Sequence, residues 1–142
     1  MPTEPLQHFE RFVFNRLVRD KVVGHCRQQD CRTTFHTITG TALQEALRQK
    51  LVEESAEVVA AADDRTETIK ELADLKEVIE ELMRQLGISP DEVAAAQAVK
   101  RAAKGTFAGG YFITTNDVPV GHPDIPGFLA QPEKFKHLGL VE

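Results

Sequence analysis

The stretch KLVEESAEVV, residues 50–59, sets Glu53, Glu54 and Glu57 within one turn of a helix-forming run, and KELADL, residues 70–75, adds Glu71 and Asp74. On a wheel of about 100° per residue, Lys50 and Glu57 stand within about 60° of Glu53, and Glu54 about 100° away. That broad side borders an apolar stripe of Leu43, Leu47, Leu51 and Val58. In the second run Glu71 lies between the directions of Leu75, Val78 and Leu82, with Asp74 about 60° to its side. Solvation is the ordinary fate of helical charges and suffices for Glu45, Glu67, Glu80 and Glu81. It fails for Glu71, which points toward the core.

An unpaired buried carboxylate costs several kcal/mol, so a group of four or five facing one another needs cations or protons. Lys50 and Lys70 are the only basic residues at useful helical spacing, too few to balance the group. A divalent ion held by oxygen ligands balances it directly. All-oxygen ligation suits magnesium (Mg2+), with manganese (Mn2+) as a substitute, and magnesium commonly binds together with substrate phosphates. A di-iron bundle normally uses Glu-x-x-His, and none of the five histidines sits three residues after a Glu. His25, Cys26, Cys31 and His36 match no common zinc spacing, and the two cysteines read as reduced thiols.

The elements that must position these carboxylates are helices. Residues 1–13 are a polar lead-in, and Leu17, Val18, Val22 and Cys26 then fall at helix-compatible spacing, weakened by Gly24. CRTTFHTITG suits an extended or irregular connection, placing an extended segment near 33–39. A long helix is predicted from about Thr41 to Ala62. After ADDRT a second runs from about Thr66 to Leu86, with Gly87 as its C-terminal cap. The two form an antiparallel hairpin. SPDE, residues 89–92, is a capping box opening a third good helix that stops at Gly105. GTFAGGYFITT reads as a glycine-rich turn into a short strand near 110–115, and the tail from Asn116 as loop. The expected fold is mainly all-α, with a domain at 14–115 and a proline- and glycine-containing extension at 116–142.

The chain has 142 residues, 42% of them hydrophobic and 27% charged, the balance of one globular domain able to bury a core unaided. A formal charge of -5 argues against general binding to nucleic acid polymers. MPTEPLQHFERF has no apolar run resembling a signal peptide, and no segment approaches the roughly 18 apolar residues that span a bilayer. A cytoplasmic protein without a membrane partner is expected.

EESAE (Glu53, Glu54, Glu57) and ELAD (Glu71, Asp74), separated by a hairpin connection, resemble the EExxE and ExxD metal motif of the all-α nucleoside triphosphate pyrophosphatases, the MazG superfamily. FNRLVRDKV at 14–22 is similar to the YNKLVRDKI opening of its house-cleaning, phosphoribosyl-ATP pyrophosphohydrolase-like branch. KGTFAGGYFI at 104–113 is similar to the RGGFxxGIxL ending, with Thr106 in place of the second Gly. The three motifs stand in the family order over residues 14–113.

The resemblance implies hydrolysis of a nucleoside triphosphate between the α and β phosphates, giving monophosphate and pyrophosphate, with magnesium as cofactor. It implies a homodimer or higher homo-oligomer that completes a four-helix bundle. Val52, Ala56 and Val59, opposite the main stripe, agree with that, since one short chain cannot easily cover them. Glu53, Glu54, Glu57, Glu71 and Asp74 are the expected metal ligands, with Glu53 or Glu54 as the alternative base for the attacking water. Arg16, Arg19, Lys21, Lys50, Lys100 and Lys104 are the candidate phosphate contacts. Asn15 either caps the first helix or contacts nucleotide, and Phe107 is expected to anchor its turn rather than stack on a base. Two other readings stay open: phosphoribosyl-ATP hydrolysis in histidine biosynthesis, and a helical interaction module without catalysis. The intact acidic set speaks against the second, because packed hydrophobes are often more stable than a buried charge cluster.

Overall fold

The structure, a computed structural model, describes residues 6–142; the first five residues of the polar lead-in lie outside it. It contains helices α1 Val22–Gln28, α2 Gly40–Ala60, α3 Arg65–Leu86, α4 Pro90–Lys104 and α5 Ile125–Leu129, and no strand among the described residues. The chain is all-α. It divides into two compact units, one ending at Val99 and the other running Lys100–Glu142, so that the boundary falls within α4.

The ends of α3 and the start of α4 follow from local chemistry. Asp64 caps α3 by accepting the Glu67 amide at 3.0 Å, and Gly87 closes it in the left-handed conformation at φ +68°. A side chain there would add strain that glycine avoids. Ser89 and Glu92 form the reciprocal capping box: Ser89 N donates to Glu92 Oε2 at 2.7 Å, and Glu92 N to Ser89 Oγ at 3.2 Å. Those two bonds satisfy donors that the first turn of α4 leaves free, and they hold the Glu92 carboxyl below its usual range.

Helices α2 and α3 pack on one another as an antiparallel hairpin joined by the short turn 61–64. Gln44 Nε2 reaches the Gln85 carbonyl at 3.2 Å near the open end, while Thr68 Oγ1 donates to the Asp64 carbonyl at 2.7 Å beside the turn. Leu47 and Val78 are the buried apolar centre, flanked by half-buried Leu43, Leu51, Val58, Leu75 and Leu82. The opposite stripe is bare, with Val52 70% and Val59 79% exposed.

Several expectations change. The first helix begins only at Val22, with Lys21 at its N-terminus, and FNRLVRDK is irregular. Asn15, at φ +42°, is too far upstream to cap it. Residues 33–39 are the irregular connection expected between α1 and α2, but the short strand expected near 110–115 is absent: among the described residues no second strand is present to accept its ladder bonds. Phe107 is fully exposed and does not anchor its turn, which instead closes through the Gly110 amide on the Phe107 carbonyl at 3.1 Å. In the second unit, the tail contains α5, and the Phe128 and Phe135 rings meet edge to face at 4.9 Å.

Candidate functional site

The two long helices bring their acids together. Glu54 of α2 and Glu71 of α3 are 6% and 8% exposed, and Asp74 is half-buried one turn along from Glu71. Each of the three offers an oxygen within 4.8 Å of the others'. Helical spacing explains the pair on α3, since residues three apart share a face. Hairpin packing brings Glu54 opposite them.

Glu53 and Glu57 stand at the margins. Glu53 accepts from Lys50 Nζ at 3.2 Å and from Arg16 Nη2. Glu57 is exposed and lines, with Ala60, Ala61, Glu67 and Glu71, a pocket of about 290 Å³ beside the hairpin turn. The structure thus gathers Glu54, Glu71 and Asp74 in one cluster, with Glu53 and Glu57 outside it.

The cations are distributed unevenly. Lys50 Nζ lies 2.8 Å from Glu54 Oε1, and Arg19 Nη2 lies 2.6 Å from Asp74 Oδ1. Lys70 reaches Glu71 Oε1 only at 3.8 Å and is shared with Glu67. Burial pulls the Lys50 pKa down, but the hydrogen bonds and charges of Glu54 and Glu53 outweigh it and hold the ammonium above its ordinary value. Lys50 therefore stays cationic.

Glu71 is the least satisfied member. Its Oε2 is buried without a hydrogen-bond partner. Burial, followed by a proton-sharing contact with Glu57 and that residue's charge, raises its pKa above the ordinary carboxylate range; Lys70 opposes the shift and Asp74 adds to it. A buried carboxylate with one orphaned oxygen, grouped with two further carboxylates, is the donor set of a hard divalent cation. The residues fit such an ion.

Sequence spacing nominated Lys50 and Lys70 as the only cations near the acids. The structure adds Arg16 and Arg19, whose partners lie 37 and 55 residues away, beyond the reach of any helical periodicity. Lys21 and Asn15 share the exposed segment that precedes α1. Lys100 and Lys104 are exposed on α4 in the second unit.

An all-α hairpin with buried, convergent carboxylates defines a class of helical proteins that groups metal-ligating donors between two helices. Among the described residues no helix is long and apolar enough to cross a membrane. Comparison with known families makes the class specific: residues 22–102, more than half of the chain, match the phosphoribosyl-ATP pyrophosphohydrolase family. The chain belongs to that family, within the MazG-like nucleoside triphosphate pyrophosphatase superfamily, and so to the pyrophosphohydrolases that act on nucleotides with a divalent metal. No curated protein and no solved structure matches it. The matched span contains α1 to most of α4 and all five acids, while FNRLVRDK precedes it.

Proposed function

We propose that the protein hydrolyses a nucleoside triphosphate between its α and β phosphates, releasing the monophosphate and pyrophosphate, and so clears non-canonical nucleotides. The convergence of Glu54, Glu71 and Asp74, with one buried oxygen of Glu71 unpartnered, carries this reading. Magnesium, held by these three and flanked by Glu53 and Glu57, would neutralise the phosphates and lower the pKa of a bound water. To Glu53, outside the three yet beside Glu54, we assign the proton of the attacking water, and to buried Glu54 ligation of the ion. Lys50 holds both carboxylates in place. Arg16, Arg19, Lys21 and, by the sequence, Asn15, Lys100 and Lys104 are the residues we assign to the phosphates and nucleotide.

Within the same reading, the catalytic domain spans 14–115 with 116–142 as an extension, the protein is cytoplasmic, and a second copy covers Val52 and Val59. The bare apolar stripe of α2 supports the homodimer.

The family match favours a second substrate for the same bond cleavage, phosphoribosyl-ATP of histidine biosynthesis. One experiment separates the two: pyrophosphate release from canonical, deoxy and oxidised nucleoside triphosphates and from phosphoribosyl-ATP, with magnesium, in wild type, Glu54→Gln and Asp74→Asn. Turnover of triphosphates, lost in both variants, supports house-cleaning. Turnover of phosphoribosyl-ATP alone assigns the biosynthetic step, and absence of turnover on every substrate overturns both.

A further inference from the structure

Arg16 and Arg19 lie in a segment without helix, and each reaches a different long helix. Arg16 Nη2 donates to Glu53 Oε1 on α2, and Arg19 Nη2 to Asp74 Oδ1 on α3 at 2.6 Å. Little else fastens this segment. Leu17 is half-buried, but Phe12, Val13 and Phe14 are 72%, 81% and 66% exposed, and Asn15 breaks the backbone at φ +42°. The two guanidinium groups are therefore the main polar ties between residues 14–21 and the hairpin.

One of those ties occupies a carboxylate of the convergent three. A guanidinium on Asp74 and a divalent cation among Glu54, Glu71 and Asp74 seek the same negative charge and repel one another at such range. Lys50 differs, because it sits on the same helix as its partners Glu53 and Glu54 and is only 22% exposed, whereas the Arg16 and Arg19 side chains are 48% and 60% exposed and free to swing. Arginine is also the side chain whose planar fork serves carboxylate and phosphate equally well.

We propose that Arg16 and Arg19 are exchangeable counter-ions. They hold residues 14–21 on the carboxylates in the metal-free protein; a divalent cation entering the cluster displaces Arg19 from Asp74, and Arg16, left as the remaining tie at neighbouring Glu53, is loosened with it. Both guanidinium groups then turn to substrate phosphate, so that the phosphate-binding arm is deployed only once metal is present. The proposal rests on the metal-site reading above and goes beyond it by making the metal and the arm competitors. Competition is reciprocal: if the arm weakens metal binding by some factor, metal loosens the arm by the same factor.

The test uses the full chain and magnesium alone, without nucleotide. Calorimetric titrations compare wild type, Arg19→Gln, Arg16→Gln and the double variant. Lys76→Gln is the control, since it removes one positive charge from an exposed pair with Glu80 on the same hairpin. Salt well above physiological strength suppresses general field effects. The chain has no tryptophan, so Phe14→Trp introduces a single tryptophan, excited selectively over Tyr111, whose anisotropy reports the arm. Expected are magnesium binding about fivefold or more tighter in the double variant than in the control, and an anisotropy that falls with magnesium in the otherwise wild-type chain but is already low in the double variant. Arg19→Lys, which keeps the charge, should bind close to wild type. Equal or weaker binding in the double variant, or anisotropy unmoved by saturating magnesium, overturns the exchange and leaves the arginines as groups that position the carboxylates. Absence of magnesium binding by every folded variant overturns the metal-site reading itself, and the proposal with it.

Discussion

Glu54 and Glu71 face each other across the α2–α3 hairpin, both buried, with carboxylate oxygens within 4.8 Å, yet only Glu54 has a close cation, Lys50 at 2.8 Å. The asymmetry makes Glu71 the place where the metal-free fold is least content and where a cation has most to offer.

Glu71→Gln keeps the shape of the side chain and removes its charge. Without metal, the variant should melt at a higher temperature than wild type, because a buried carboxylate with one oxygen unpartnered and only a distant cation is replaced by a neutral amide. Magnesium should then stabilise it far less than it stabilises wild type, and pyrophosphate release should fall by more than the roughly 10–100-fold typical of losing a group that only hydrogen-bonds to a metal ligand. Thermal melts with and without magnesium, beside steady-state turnover, check the three statements together.

The same residue sets a pH dependence. Its folded-state pKa is raised, first by burial and then by Glu57, so the folded chain holds this proton more tightly than the unfolded chain. Its contribution to metal-free stability is therefore favourable at low pH and is lost as pH rises from the ordinary glutamate value through the raised one. Glu80, Glu81 and Glu92 act the other way, since their lowered values favour the fold above the ordinary glutamate pKa and that support is lost as pH falls through them. Subtracting the melting profile of Glu71→Gln from that of wild type isolates the Glu71 contribution, and the difference should grow more unfavourable to wild type with rising pH. Magnesium affinity should move oppositely, weakening as pH falls into the raised range, where the proton competes for the oxygen.

Leu47 is the most buried apolar side chain of the hairpin, at 3% exposure. Leu47→Ala should destabilise the protein by about 2–5 kcal/mol, the usual consequence of truncating a buried leucine. Ser89→Ala should cost about 1 kcal/mol through loss of the α4 cap. Urea unfolding of both variants, with the wild-type slope preserved, checks the ordering.

What was legible from the residues follows the range of the interactions. Gly87, Ser89 and Glu92 act on backbone groups a few positions away, so the ends of α3 and α4 can be read directly. The burial of Glu71 was equally legible, because the conflict between its charge and its apolar neighbours is a property of one helix. The ties of Arg16 to Glu53 and of Arg19 to Asp74 were not, since they depend on where an irregular segment returns in space. Helix α5 is not legible because its IPGFL sequence contains proline and glycine, residues whose propensity argues for loop; the proline is tolerated because it falls in the first turn.

Val52 and Val59 stand on one side of α2 that the chain itself leaves at 70% and 79% exposure, the side proposed above to meet a second copy. If a second copy covers them, replacing both with aspartate places two charges in an apolar contact, and like charges from the two copies then face each other. Sedimentation velocity should show wild type as a dimer or larger assembly and the Val52→Asp/Val59→Asp variant as a monomer at the same concentration. Magnesium binding should weaken with dissociation, because the second copy would keep water from the margin of the hairpin. A wild type that sediments as a monomer at every accessible concentration would instead leave the stripe to a different partner.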